Sequence, residues 1–292
     1  MGPEAQSSGR RIGDILSAGA AWLESKNVED ARLQCEWLAA ALLSSSRTEL
    51  ELAAGREAPG AFVSGMREGV KRLAQGEPVQ YVVGEWDFRC LTLKTDSRAL
   101  IPRPETEQLV QLALDEREVW ERAAPRLYDV GTGTGCIAIS LAVERPQCEC
   151  VAVDVDGGAL SLARENAARC GVADRIEFRL GRNCDGAAEA SLDAVVSNPP
   201  YIASRVVDGL PPLIRDHEPR LALDGGPDGL DIVREVVNDA AIALRPGGWC
   251  FLEIGDDQGE AVRGVLEDAG FSEISVLADY AGLTRFAKGR IV

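Results

Sequence analysis

From Arg126 onward the chain alternates short apolar runs with amphipathic ones, and no other feature narrows the possible folds as far. Residues 127–130, 149–153, 175–180, 194–197 and 249–253 read as strands, rich in Val, Ile, Leu and Phe. Residues 136–144, 158–170, 230–244 and 258–269 carry apolar side chains at helical spacing. Strands that alternate with helices require a parallel sheet, because each helix returns the chain to the edge where the next strand begins. Two last runs, 271–277 and 284–288, are short enough to close as an antiparallel hairpin. The expected architecture is an open Rossmann-like α/β sheet, with ligands outside the carboxyl ends of its strands.

Upstream, residues 11–77 read as a separate helical bundle. Ile12, Ile15, Leu16 and Ala20 recur at helix spacing, as do Leu33, Trp37, Leu38, Ala41 and Leu42. Ser44-Ser45-Ser46 and the stretch around Pro59 break the pattern, and residues 62–73 resume it. Nothing in the bundle groups catalytic side chains, which suits a partner-docking domain. Residues 1–10 read as a flexible polar leader. Residues 78–101, with Gly84 between alternating apolar runs, read as a β-hairpin linker, and 102–292 as the catalytic domain.

Gly131-Thr132-Gly133-Thr134-Gly135 joins the first strand of the alternating region to its helix. Glycines permit a tight turn and a close approach of ligand to backbone, and the helix that follows offers unpaired N–H groups. Asp154 ends the next strand, where a carboxylate can accept hydrogen bonds from both ribose hydroxyls. The loop is one residue shorter than a dinucleotide fingerprint, and no lysine follows as in a phosphate-binding loop. This compact form suits a nucleoside ligand without a pyrophosphate, S-adenosyl-L-methionine. Asp129, just upstream, either orders the loop or approaches the ligand's amino group.

Asn198-Pro199-Pro200-Tyr201 ends another core strand. Proline donates no backbone hydrogen bond, so the sheet must stop there. A rigid turn at that place can present an amide, backbone carbonyls and a ring to one small planar group, and an amide or amine nitrogen awaiting methylation fits it. In that chemistry the Asn198 side-chain oxygen and the Pro199 carbonyl accept the two N–H bonds of an amide, and Tyr201 stacks on it. Glu253, at another strand end, reads as a cap near the site.

Composition excludes other chemistries. With one histidine, His217, a multi-histidine metal site is ruled out, and the eight cysteines contain no Cys-x-x-Cys, so they read as small core hydrophobes. The net charge of −16 disfavours direct nucleic-acid binding. It is uneven: residues 1–100 hold 12 Lys and Arg against 14 Asp and Glu, so almost all the excess lies downstream. No apolar run reaches the ~20 residues needed to span a bilayer, and residues 1–10 lack a signal-peptide core, so a cytoplasmic monomer is expected.

With these stretches assembled, the chain resembles the seven-stranded S-adenosylmethionine-dependent methyltransferases, and within them the bacterial release-factor glutamine N5-methyltransferases. The resemblance runs from about Arg11 to Lys288. It rests on Gly84-Glu85-Trp86-Asp87-Phe88, Ile101-Pro102-Arg103-Pro104-Glu105-Thr106-Glu107, the glycine loop, Ser197-Asn198-Pro199-Pro200-Tyr201-Ile202, His217-Glu218-Pro219-Arg220-Leu221-Ala222-Leu223 and Leu244-Arg245-Pro246-Gly247-Gly248. It implies that Gly131, Thr132, Gly133, Thr134, Gly135, Asp154, Asn183 and Asn198 hold S-adenosyl-L-methionine, whose product is S-adenosyl-L-homocysteine. It also implies that Asn198, Pro199, Pro200 and Tyr201 hold the substrate glutamine of the Gly-Gly-Gln motif in peptide chain release factors. Asn183 is a departure, since relatives often carry an acidic and then a bulky apolar residue there. Alternatives from the same turn are a ribosomal-protein glutamine methyltransferase and an adenine-N6 methyltransferase.

Overall fold

The computed structural model describes residues 10–292, which divide into two compact units. The first extends to Gly84 and includes Pro212–His217; the second holds Glu85–Pro211 and Glu218–Val292. The leader expected at 1–10 lies, except for Arg10, outside the described residues.

In the first unit, helices Ile12–Glu24, Ala31–Leu42, Arg47–Ala53 and Gly60–Ala74 pack together. Of the stripe expected on the second helix only Leu38 is buried: its inward face is Ala31, Cys35, Leu38 and Ala39, and Leu33 and Leu42 are exposed. Ile12, Leu16, Leu23, Cys35, Leu38, Phe62, Met66 and Leu73 share one core. Packing is close: a Cβ on Gly69 would come 2.5 Å from the Leu38 side chain. Ser46 and Glu49 form a capping box that starts the third helix, each side chain bonding the other's backbone N–H. Residues 79–83, expected as part of a hairpin, form instead a fifth helix, Val79–Val83. Pro78 presets its start and Gly84, at φ 82°, ends it. Burial of Tyr81 and Val82 decides the matter over the β preference of their residue types. The hairpin is therefore shorter than the expected 78–101. It comprises β1 (Glu85–Phe88) and β2 (Leu91–Lys94) and belongs to the second unit.

The second unit is built on seven strands: β3 (Arg126–Val130), β4 (Glu149–Asp154), β5 (Ile176–Leu180), β6 (Leu192–Ser197), β7 (Leu244–Glu253), β8 (Phe271–Ala278) and β9 (Thr284–Ile291). Their order is β5-β4-β3-β6-β7-β9-β8, parallel except for β9, which runs antiparallel to both neighbours. β7 begins earlier than expected. Leu192 pairs with Leu244 and Ala194 with Trp249, so a register shift absorbs the intervening Pro246 and Gly247 without ending the strand. Apolar side chains cover both faces, as a parallel sheet demands. Chain order reverses between β3 and β6. The crevice at their carboxyl ends is the topological switch point where such sheets bind ligands.

Candidate active site

One side of the crevice is the loop after β3. The Gly131 and Thr132 N–H groups donate to the Val153 carbonyl at 2.9 and 3.0 Å, stitching the loop to β4. Gly131 has φ +73°, and a Cβ there would meet no atom within 4 Å, so it faces open cavity. Asp129, wholly buried beneath the loop, accepts from the Thr132 hydroxyl at 2.6 Å and the Ala138 N–H at 3.0 Å, both at Oδ2. Its Oδ1 is buried with no partner. Desolvation pushes its pKa up to about 7, against those two hydrogen bonds, with Asp154 adding a like charge. An orphaned buried carboxylate oxygen is costly and calls for a donor or cation from a ligand. Asp154 ends β4, where it accepts from Gly133 N–H and Asp156 N–H, both at 2.9 Å; burial raises its pKa.

The cavity is lined by Gly131, Thr132, Gly133, Thr134, Asp154, Asn183, Asn198 and Pro200 among others. Asn183 adopts φ +48°, a conformation asparagine tolerates better than bulky residues, and this brings it to the wall beside Gly181 and Arg182. Gly135 is outside the lining. A Cβ there would lie 2.9 Å from Ile139 and 3.1 Å from Ala163, so Gly135 serves the contact between two helices, Cys136–Glu144 and Gly157–Arg169.

The other side is the turn after β6. The Ser197 hydroxyl donates to the Val130 carbonyl at 2.7 Å, which aligns the ends of β6 and β3. Asn198 Nδ2 donates to Thr106 Oγ1 at 3.1 Å, and Thr106 Oγ1 donates to Glu253 Oε2 at 2.7 Å. The carbonyl of Tyr201 accepts from Gln258 Nε2 at 2.8 Å, while Gln258 Oε1 accepts from Gly255 N–H at 2.8 Å. Gly225 and Gly229 pack against the turn from the other side. A Cβ on Gly225 would come 2.6 Å from the Pro200 carbonyl oxygen, and one on Gly229 2.4 Å from that of Tyr201. Ile202 N–H donates to the Leu223 carbonyl and Gly225 N–H to the Ile202 carbonyl, at 3.0 and 2.9 Å. Pro199 is buried, and neither it nor Tyr201 lines the cavity. Desolvation, with Glu253 nearby, pushes the Tyr201 pKa up to about 12, so its hydroxyl keeps its proton.

Two sequence stretches far apart in the chain meet at the rim. Glu218, its side chain 1% exposed, binds Arg103 Nη2 at 2.5 Å and accepts from the Ile101 N–H at 3.4 Å. Arg220 pairs with Asp208 and Asp224 instead. His217 belongs to the first unit, with Nε2 3.7 Å from where a Cβ on Gly76 would sit. Sequence reasoning missed Thr106, Gln258, Gly225 and Gly229. Thr106 stood in a stretch already singled out, but nothing marked its hydroxyl; Gln258, at the start of a helix, carried no signal.

Taken together, a cavity at the switch point, carboxylates at two adjacent strand ends and an amide held at the cavity wall suit the transfer of a small group between two bound molecules. No helix among the described residues is long and apolar enough to cross a membrane.

Comparison with known proteins gives the same picture. Residues 14–84 match the PrmC N-terminal domain family, and residues 108–226 match the Methyltransferase small domain family. The chain is 38% identical to a Release factor glutamine methyltransferase of Geobacter sulfurreducens, over 96% of each protein. It is 40% identical to one of Moorella thermoacetica, over 90% of this chain and 92% of that one. Among solved structures, the hMettl16 catalytic domain in complex with a MAT2A 3'UTR hairpin superposes with a TM-score of 0.55 at 14% identity, covering 79% of this chain and 82% of that one. At that identity the likeness is one of fold.

Proposed function

This chain belongs to the release factor glutamine methyltransferase family, and we propose that it transfers a methyl group from S-adenosyl-L-methionine to the side-chain nitrogen (N5) of the glutamine in the Gly-Gly-Gln motif of peptide chain release factors. The observation that carries this is the orientation of Asn198. Its Nδ2 is committed to Thr106, so its Oδ1 is the atom left to accept from a substrate N–H beside the cofactor cavity.

The residues on the cofactor side fit the methyl donor. Gly131 and Gly133 leave room for it against the backbone and Asp154 accepts from the ribose, while Asp129, beneath the loop and outside the cavity lining, keeps an unpaired buried acceptor at Oδ1. Thr132 and Thr134 line its pocket, and Asn183 borders the adenine end. When bound, S-adenosylmethionine supplies a methyl group activated by the positive charge of its sulfonium. The protein's task is then positioning, because an amide nitrogen is a weak nucleophile whose lone pair is shared with its carbonyl. Asn198 Oδ1 and the Pro199 carbonyl accept the two N–H bonds of the glutamine amide, turn its nitrogen toward the cavity and stabilise positive charge as it builds there. Pro199 and Pro200 keep those acceptors in place without a flexible backbone. Tyr201 covers the amide plane from the side away from the cavity. The amide proton leaves to water once the new bond forms.

The first unit, with its near-neutral charge balance, is the part we assign to docking the release factor. We infer further that the protein acts as a monomer, in the cytoplasm, with no direct nucleic-acid contact; the net charge of −16 supports the last point. Incubation with isotope-labelled S-adenosylmethionine and a release factor, a ribosomal protein fraction or DNA tests the reading. Label is expected on the release factor and absent when the motif glutamine is replaced by alanine. Label on DNA alone overturns it.

A further inference from the structure

Glu253 sits at the end of β7, 1% exposed, and nothing in the methyl transfer as derived above uses it. It accepts from Thr106 Oγ1, and Thr106 Oγ1 in turn accepts from Asn198 Nδ2. A hydroxyl has one proton to give. Because Thr106 gives that proton to Glu253, it can meet Asn198 only through a lone pair, and only the NH2 end of the Asn198 amide fits there. The Tyr201 hydroxyl also stabilises the same carboxylate, so one buried acid is linked to both ends of the turn.

We propose that Glu253 and Thr106 are positioning residues for the reaction: the Glu253 carboxylate, acting through the Thr106 hydroxyl, fixes which end of the Asn198 amide faces the substrate. This rests on the reading of Asn198 as the acceptor for the glutamine amide. Protonation of Glu253 reverses the relay. The carboxylic acid then donates to Thr106, Thr106 turns its proton toward Asn198, and the amide presents NH2 where the substrate needs an oxygen. Two N–H groups then face each other and the glutamine amide is not held.

The groups that face Glu253 set the pH at which this happens. Desolvation raises its pKa, helped by Glu105 on the Pro104–Asp115 helix and opposed by Thr106, Arg285 on β9 and Tyr201, and the balance leaves it at about 7. The switch therefore falls inside an accessible range: turnover drops as pH falls through about 7. Asp129, with a pKa also near 7, is the other buried acid of the site, and it faces the cofactor loop instead.

The experiment compares the parent with Glu253→Gln, Thr106→Val, Thr106→Ser and Asn198→Ala. Readouts are kcat and KM for release factor from pH 5.5 to 9 and the Kd of S-adenosyl-L-homocysteine by calorimetry. Loss of one charge-assisted hydrogen bond in the relay corresponds to about a 10- to 100-fold fall in kcat for Glu253→Gln and Thr106→Val. The acid limb is expected to vanish in Glu253→Gln, Thr106→Ser to recover turnover to within about threefold of the parent, and S-adenosyl-L-homocysteine affinity to change less than about threefold. If Glu253→Gln fails to bind that product, Thr106→Val and its serine rescue decide alone. An acid limb that persists in Glu253→Gln assigns the titration to Asp129 and overturns the proposal. So does parent-like turnover in Thr106→Val while Asn198→Ala is inactive. Parent-like turnover in Asn198→Ala would instead remove the reading on which the proposal rests.

Discussion

Two loops leave neighbouring strands of the same sheet and are built in opposite ways. The loop after β3 is local. Thr132 and Ala138 bond the carboxylate of Asp129 within ten residues of chain, and two other segments reach in: β4, through Val153 and Asp154, and Asn166, whose Nδ2 donates to the Thr134 carbonyl at 2.9 Å. The turn after β6 is held from afar. Thr106 lies 92 positions earlier, Gln258 57 positions later, and Gly225 and Gly229 pack on it from a third segment. A ligand gripped by backbone needs little beyond its own loop. A weak nucleophile that must be oriented needs side chains whose directions are themselves fixed, and those come from wherever the fold can bring them.

That contrast can be broken or sharpened by substitution. The largest effect is expected at the turn: Asn198→Ala should cost about 1,000-fold in kcat, by analogy with the loss of one preorganised group at a developing charge, while the Kd of S-adenosyl-L-homocysteine moves less than about tenfold. Equal losses in both would mean the two loops act as one unit. Next comes a residue that touches no ligand. Gly229→Ala would drive a Cβ to 2.4 Å from the Tyr201 carbonyl at φ +80°. With strain of about 1–3 kcal/mol displacing the turn, kcat/KM for release factor should fall roughly 10- to 100-fold, again with cofactor affinity little changed. Turnover at the parent level would show that the distant support is dispensable.

On the cofactor side, Gly131→Ala places a methyl in the cavity at φ +73°. Its effect should appear chiefly as a Kd for S-adenosyl-L-homocysteine raised about tenfold, from about 1–2 kcal/mol of strain and lost room. A normal Kd with a fall in kcat would reverse the division of labour between the loops. The smallest effect concerns stability. The Asp129 pKa is raised from 3.8 to about 7, so the folded protein keeps a proton that the unfolded chain releases. Its contribution is fully present below about pH 4 and is lost as pH rises toward 7, with a slope of at most about 1.4 kcal/mol per pH unit. The melting temperature of the ligand-free protein should thus decline between pH 5 and 7.5 more steeply in the parent than in Asp129→Asn. Identical slopes would remove Asp129 as the cause.

The same contrast explains what could be read from the chain before any coordinates. Strand–helix alternation, the glycine loop, Asp154 and the proline turn are patterns within short windows, and each falls where the periodicity puts it. Residues 79–83 were misread because Val, Tyr and Val favour strands in isolation, whereas burial of Val82 in the bundle core rewards a helical turn. Gly135 sits in the motif but outside the cavity lining, and its lack of a side chain lets two helices touch at Ile139 and Ala163, which no window of sequence could show. Asn183 departs from the family pattern, yet its left-handed backbone still brings it to the cavity wall.

By itself, the sequence determined the parallel core of the sheet, the order of its strands and helices along the chain, and the places of the glycine loop after β3 and the proline turn after β6. These follow from local hydrogen-bond capacity, backbone permission and the side-chain period of each element. Only the tertiary structure decided which way Asn198 points. That depends on one proton of Thr106, which depends on a carboxylate 147 positions further along the chain, buried where its charge is costly and its hydrogen bonds therefore count.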